Sequence, residues 1–190
     1  MTIVITQPYF ITNEVDAIVR LFDERGIDRL HVRKPEASED EVAALISSIP
    51  ACFYPHISIH DHHALAVRYG LGGIHLNSRH PVLPEEWQGL VSISCHSIAE
   101  LASCLKQNDT KGCDSLMSYR YDYLSLSPIF DSISKQGYHA AFTREMIEDA
   151  RRRGIICQKV LALGGVTFDR LSEVREMGFG GGMILGDAWR

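Results

Sequence analysis

Short apolar runs rich in β-branched residues alternate with amphipathic stretches along the whole chain. Eight of these runs are almost continuously apolar before a polar end, which is typical of strands that are buried on both faces. The predicted strands are residues 3–6, 29–33, 56–61, 72–77, 91–96, 123–130, 160–165 and 181–186.

Most of the segments between these strands have apolar residues at helical spacing. Several begin at a serine or threonine and end at a glycine, which are common helix caps. The pattern predicts helices over 13–25, 38–48, 97–106, 143–153 and 167–177, with shorter helical segments at 62–69 and 84–89. Glu100 stands three residues after Ser97, which predicts a capping box at the start of the third helix in that series.

The alternation of strand and helix predicts a parallel sheet joined by right-handed crossovers. Because eight strands close a (β/α)8 barrel, we expect a minimal TIM barrel with short loops, in one domain over 1–190. Its eighth helix should be truncated, since the chain has little sequence after Gly186. An open, doubly wound sheet is the alternative, because such barrels typically have about 250 residues.

The composition is that of an ordinary globular domain. Hydrophobic residues make up 45% and charged residues 23%, and the net charge is −5. The chain is mildly acidic and has no apolar run near the roughly 18 residues of a membrane span, so we expect neither a nucleic-acid nor a membrane partner. Its five cysteines, an odd number without CxxC spacing, favour reduced thiols and a cytoplasmic protein.

Nine histidines are an unusual feature of the chain, and four of them fall at predicted strand ends. In a barrel, the carboxyl ends of the strands carry the functional groups. The polar residues at these ends are His31, Arg33, His60, Asp61, His75, Asn77, Ser94, His96, Ser125 and Ser127. The four histidines should converge on one mouth, although His31 and His75 fit a role in the core equally well.

Glycines cluster around the last two predicted strands, at Gly164 and Gly165, at 180–182 and at Gly186. Barrels often bind phosphate at the loops after strands seven and eight, where backbone N–H groups hold the anion. The sequence therefore predicts a phosphate site there. Three residues that follow strand six could add hydroxyls and a cation: Ser132, Ser134 and Lys135. The alternative for 180–182 is a tight turn into the last strand.

A metal site made by the protein alone is not expected. His60 and Asp61 alternate along a strand and should point to opposite faces, and the strand-end histidines are not paired at ligand spacing. Asp61 could ligate Mg²⁺ through oxygen, but no second carboxylate stands at a neighbouring strand end.

Six segments, taken in order, resemble the thiamine phosphate synthase/TenI family: LHVRKP, ISIHDHHALA, GGIHLN, SISCHS, DYLSLSPIFDSISK and LALGGV. The resemblance runs from about residue 28 to 187 and implies a (β/α)8 barrel that binds a phosphorylated thiazole. One family activity joins this thiazole to a hydroxymethylpyrimidine diphosphate and expels pyrophosphate with Mg²⁺. The other tautomerises a thiazole carboxylate phosphate without metal or other cofactor.

The resemblance also implies roles for individual residues. It places the thiazole phosphate at the last two strand ends and the diphosphate on the loop after strand six, with Arg33 and Ser94 among the phosphate-binding residues. The phosphate residues so implied are Gly164, Gly165, Leu185 and Gly186, and the diphosphate residues are Ser132, Ser134 and Lys135.

Departures from the synthase pattern favour the tautomerase. His31 replaces a pyrimidine-binding glutamine, Pro35 stands where a diphosphate-binding lysine belongs, and Lys34, one position early, should face away. Asp61 keeps one Mg²⁺ position, which matters only for a synthase, whereas His80 replaces the second aspartate. Losing a metal carboxylate and a lysine weakens stabilisation of departing pyrophosphate.

Three features match the tautomerase pattern: His31 before the strand-two arginine, the Ser94 to Ser97 segment after strand five, and the DRL sequence at 169–171. We therefore expect His96 and His31 to be catalytic. The synthase, acting also on a pyrimidine diphosphate with Mg²⁺, is the alternative. A catalytically silent protein that binds thiazole or thiamine phosphate is a further one. A homo-oligomer is compatible with the thin cover expected over strand eight.

Overall fold

All eight predicted strands form, and they close into a parallel barrel in which each strand pairs with the next and the last pairs with the first. The computed structural model describes residues 1–85, 87–109, 120–131 and 140–190. The strands are β1 (Thr2–Ile5), β2 (Arg29–Val32), β3 (Ile57–Ile59), β4 (Gly73–Leu76), β5 (Leu90–Cys95), β6 (Tyr123–Leu126), β7 (Val160–Leu163) and β8 (Gly181–Ile184). Most are shorter than predicted, because the polar residues at their carboxyl ends leave the ladder and enter the loops.

The helices surround the barrel as α1 (Glu14–Asp23), α2 (Glu39–Ser48), α3 (Ala64–Tyr69), α4 (Ile98–Asp109), α5 (Arg144–Arg152) and α6 (Leu171–Glu176). The helix predicted over 167–177 divides into a 3-10 turn, Phe168–Arg170, and α6. A 3-10 helix, Gly186–Trp189, follows β8 in place of an eighth α-helix, as predicted. Another, Ala51–His56, precedes β3.

The short helix predicted over 84–89 is wrong for the residues described between β4 and β5, which form no helix. The predicted segment instead contains a single turn, in which the Trp87 N–H donates to the Pro84 carbonyl at 3.3 Å. Earlier in the same connection, Asn77 Oδ1 accepts hydrogen bonds from the backbone N–H groups of Arg79 and His80, at 3.0 and 3.1 Å, and turns the chain.

Side chains of alternate residues separate the core into two parts, because successive residues of a strand face opposite sides of the sheet. Outward residues such as Leu30 and Val32 pack under the helices in the larger cluster. Inside the barrel, β1, β7 and β8 supply apolar side chains that pack with Tyr123 of β6: Ile3, Ile5, Leu161 and Met183. The inward positions of β2 to β6 are instead largely polar, and they include Arg29, His31, Ser58, His60, His75, Ser92 and Ser125.

A buried ion pair secures the segment between β1 and α1. Lys34, directly after β2, has a fully buried side chain whose Nζ lies 2.6 Å from Oε1 of Glu14. The same Nζ donates to the carbonyl of Tyr9 at 2.7 Å and lies 4.8 Å from the centre of the Phe10 ring. The Lys34 ammonium is therefore held by the segment that follows β1.

No helix among the described residues is long and apolar enough to cross a membrane.

Replacing Glu14 with glutamine should destabilise the fold by about 3 kcal/mol or more, because it leaves the buried Lys34 ammonium without its counter-charge. Urea unfolding of the purified variant measures the change. Glu148→Gln is the matched control, since Glu148 pairs with Arg144 in an exposed ion pair. That control should change stability by no more than about 0.5 kcal/mol. Equal losses in the two variants would show that the buried pair of Lys34 and Glu14 contributes no more to stability than an exposed ion pair.

Candidate active site

A cavity of about 720 Å³ opens at the carboxyl ends of the strands. This volume lies in the range that holds a small-molecule ligand. Seven of the residues predicted for the site line it: Arg33, Ser94, His96, Gly164, Gly165, Leu185 and Gly186. The mouth predicted from the strand ends therefore exists.

Other predicted residues lie elsewhere. His31 is fully buried inside the barrel and is not part of the cavity lining. Asp61 is buried beside the cavity, also outside its lining. The predicted diphosphate residues Ser132, Ser134 and Lys135 lie outside the described residues.

Cations and glycines occupy different parts of the cavity rim. Arg33 follows β2, and Arg79, which the sequence analysis did not select, belongs to the loop after β4. The glycine ends follow β7 and β8. In the closed strand order β8 lies across the barrel from β4, which precedes Arg79, and two strands from β2, which precedes Arg33. The cavity thus has guanidinium groups after β2 and β4 and glycine-containing strand ends after β7 and β8, on separate parts of its rim.

The two glycines after β7 are explained by backbone conformation and by close packing, independently of any ligand. Gly164 and Gly165 have φ values of 91° and 64°. A Cβ at Gly165 would lie 2.3 Å from the carbonyl oxygen of Asp131, so the segment after β6 approaches too closely for any side chain. The same segment is tied to β7 by the bond from the Phe130 N–H to the Gly164 carbonyl, at 3.0 Å.

The glycines at 180–182 do not belong to the predicted phosphate site. They lie at the start of β8, at the end of the barrel opposite the cavity. A Cβ at Gly181 would meet the carbonyl oxygen of Met1 at 1.7 Å, and one at Gly180 would meet that of Gln158 at 1.9 Å. The alternative interpretation, a tight entry into the last strand, is the correct one.

Three strand-end histidines come together inside the barrel under the cavity. His31 Nδ1 lies 2.8 Å from His60 Nε2, and the rings of His60 and His75 stack with centroids 4.1 Å apart. One ring nitrogen from each of the three lies within 4.8 Å of the others. The reason given for expecting no metal site, that these histidines are not at ligand spacing, is therefore wrong.

Two of the buried histidines have further polar partners among the neighbouring side chains. Tyr123 Oη lies 2.6 Å from His31 Nε2, and Ser92 Oγ lies 2.8 Å from His75 Nδ1. Burial lowers the pKa of His31 and of His60 well below 6.5, and it lowers the pKa of His75 to about 3. All three rings are consequently neutral at neutral pH.

His96 follows β5 directly and is exposed at the cavity wall. Its backbone N–H donates to Glu100 Oε2 at 2.7 Å, and Ser97 Oγ accepts from the Glu100 N–H at 3.1 Å. The predicted capping box required the Glu100 side chain to accept from the backbone N–H of Ser97. Glu100 accepts from the backbone N–H of His96 instead. The start of α4 in this way fixes the segment that carries the imidazole.

Asp61 is the residue that could hold Mg²⁺. Its Oδ1 accepts from Arg79 Nη2 at 2.9 Å and lies 3.5 Å from His80 Nε2. Its Oδ2 is buried and has no hydrogen-bond partner within the described part of the chain. Mg²⁺ is commonly held through one or two carboxylates plus substrate phosphates, so this free oxygen fits a cation that a bound diphosphate would also ligate.

The protein should lose stability in mild acid partly through His75. The unfolded histidine binds a proton near pH 6.5 and the folded one only near pH 3, so stability is complete above about 6.5 and falls as the pH decreases through that window. Between pH 7.5 and 5.5 His75 alone should account for a loss of about 1.4 kcal/mol. Urea unfolding at both pH values should show a smaller loss, by that amount, in His75→Asn. The same loss in both proteins would contradict the assignment.

Comparison with known proteins agrees with this architecture. A family model described as thiamine monophosphate synthase matches residues 2–185. The chain is 26% identical over 177 residues to a thiamine-phosphate synthase of Serratia proteamaculans, covering 90% of this chain and 78% of that one. It is 25% identical over 170 residues to a protein of the same name from Listeria monocytogenes, covering 86% and 72% of the two chains.

A crystal structure of thiamine phosphate pyrophosphorylase from Bacteroides thetaiotaomicron superposes with a TM-score of 0.80 at 38% identity. The match covers 99% of this chain and 84% of that one. Since the family model also spans nearly the whole barrel, from β1 to the end of β8, this chain belongs to the thiamine monophosphate synthase family.

Proposed function

We propose that the protein is a thiamine phosphate synthase, which joins hydroxymethylpyrimidine diphosphate to a thiazole phosphate and releases pyrophosphate. The observation that carries this proposal is a cavity with two separate regions suited to anions, Arg33 and Arg79 after β2 and β4, and the strand ends at Gly165 and Gly186 after β7 and β8. A condensation needs one cavity that accepts two anionic substrates at once. The names of the relatives fit this activity, which was the alternative in the sequence analysis, and they give the tautomerase no support.

The residues divide the work as follows. Arg33 and Arg79 donate to the diphosphate and balance the charge that grows on it as the carbon–oxygen bond breaks. Backbone N–H groups at the β7 and β8 ends orient the thiazole phosphate across the cavity. Asp61 Oδ2 would hold Mg²⁺, which when bound supplies further positive charge to the diphosphate.

A cytoplasmic location is part of the same proposal. The cysteines described, Cys52, Cys95, Cys104 and Cys157, are all free thiols, which supports a reducing compartment.

The tautomerase is a second candidate, favoured by the position of His96. Its imidazole lines the cavity beside Ser94 and is exposed to a bound substrate. Histidine suits a reaction that moves a proton between two positions of one substrate near neutral pH.

Two assays on the purified protein test these candidates. In the first, both substrates are supplied with Mg²⁺ and released pyrophosphate is measured. In the second, the thiazole carboxylate phosphate is supplied alone in EDTA and its isomerisation is followed. We expect turnover in the first assay. Turnover confined to the second would replace the synthase with the tautomerase, and ligand-induced stabilisation without turnover in either would indicate a silent binding protein.

Arg33→Gln should raise KM for the pyrimidine diphosphate by roughly tenfold or more, because it removes a charge-assisted hydrogen-bond donor from the cavity. KM for the thiazole phosphate should change less, since that phosphate is assigned to the ends of β7 and β8. Steady-state kinetics with each substrate varied in turn measures both values. Arg144→Gln, at an exposed position on α5, is the control. An equal rise in both KM values would refute the division of the cavity.

His96→Asn separates the two activities. If the protein is a tautomerase, this variant should lower kcat by roughly 10²-fold, the usual scale for loss of a general acid–base, while KM changes little. If it is a synthase, pyrophosphate release should fall by much less, because His96 is not among the residues assigned to either anion. A variant with unchanged isomerisation and confirmed folding would remove His96 from that chemistry.

A further inference from the structure

We propose that His31, His60 and His75 form a binding site for a divalent first-row transition metal such as Zn²⁺ at the floor of the cavity. The three imidazoles come from β2, the end of β3 and β4, three neighbouring strands of the barrel. One nitrogen of each lies within 4.8 Å of the others, and all three residues are buried. This donor set is separate from the carboxylate of Asp61.

The hydrogen bonds of the outer ring nitrogens orient the rings for ligation. His31 Nε2 is held by Tyr123 Oη at 2.6 Å, which leaves Nδ1 facing His60 Nε2. His75 Nδ1 is held by Ser92 Oγ at 2.8 Å, so Nε2 is the nitrogen that would ligate a metal. Histidine ligands characteristically use one nitrogen for the metal and the other for such a bond.

Metal binding would leave no serine hydroxyl without a hydrogen-bond partner. His75 Nε2 now lies 3.1 Å from Ser94 Oγ, and that contact would be exchanged for the metal. Ser94 Oγ also lies 2.8 Å from Ser125 Oγ and so keeps a partner.

The chemistry of the donors selects the class of metal. Three neutral imidazoles suit Zn²⁺, Co²⁺, Ni²⁺ or Cu²⁺, whereas Mg²⁺ prefers oxygen. His60 and His75 line the cavity while His31 lies below it, so a fourth position would face the cavity and accept water or an anion. That arrangement of three protein ligands and one open position is the one found in catalytic zinc sites.

Calorimetric titration of the chelator-treated, full-length protein with Zn²⁺ tests the site without any assay of activity. We expect saturable binding of one equivalent, and Co²⁺ in its place should give the visible absorption of a four-coordinate complex. Tyr123→Phe, which removes only the hydroxyl, should weaken binding by about 10- to 100-fold. His75→Ala should abolish the one-equivalent step. His56→Ala, at an exposed histidine outside the cluster, is the control and should leave it unchanged.

Folding of each variant is checked by circular dichroism in EDTA. If His75→Ala does not fold, ¹⁵N-histidine spectra of the wild-type protein provide the same test, because Zn²⁺ should shift the ring nitrogens of three histidines together. The proposal is overturned if the wild type shows no saturable binding. It is equally overturned if folded His75→Ala binds as tightly as the wild type, or if the shifted rings belong to exposed histidines.

Discussion

A closed barrel of eight short strands sends every second side chain into a largely buried interior, and in β2 to β6 many of those side chains are polar. Each must therefore find a hydrogen-bond partner within the barrel, because an unpaired buried polar group costs about 1–3 kcal/mol. The interior meets this requirement with two chains of bonds. One runs from Arg29 through Ser58 and Tyr123 to the pair of His31 and His60. The other joins Ser92, His75, Ser94 and Ser125.

This division of the interior also places the cavity and its charges. The apolar side chains of β1, β7 and β8 pack against one another and fill their half of the barrel. The polar half leads upward to Arg33, Asn77 and His96, which bring hydrogen-bonding side chains to that part of the mouth. The ends of β7 and β8 offer glycine backbone together with the side chains of Leu185 and Asp187. An asymmetric lining of this kind can hold a substrate in one orientation.

The fold was predictable from the sequence because strand number and alternation are local properties. Eight apolar runs with helices between them are visible without any knowledge of register. The convergence of the strand-end histidines on one mouth was predicted from the same property, but the approach of three of them to ligand distance was not, because it depends on the register. His31 pairs with Ser58, which brings His60 two residues further along the neighbouring strand, and β4 then sets His75 beside it. Spacing along the chain does not show this register.

Other differences between sequence and structure have the same origin. The glycines at 180–182 lie at the start of β8, whereas Gly164 and Gly165 lie after the end of β7. Two glycine-rich segments that look alike in the sequence therefore lie at opposite ends of the barrel. Which end a glycine occupies depends on where the ladder begins. Arg79 was not predicted as a site residue, because its place at the cavity depends on the turn that Asn77 makes. A signal for this turn exists in the sequence, an asparagine two residues before the arginine and shortly before Pro81.

The position of Arg79 answers the main objection to a synthase. The family resemblance places a diphosphate-binding lysine at Pro35, and Lys34 cannot replace it because Glu14 holds its ammonium inside the fold. Arg79, however, brings a half-exposed guanidinium to the same side of the cavity and is itself positioned by Asp61. A guanidinium binds phosphate oxygens in two places at once, whereas an ammonium acts as a point charge. The chain has therefore not lost cationic charge on this side but holds it on a different strand end, so the missing lysine alone is no reason to prefer the tautomerase.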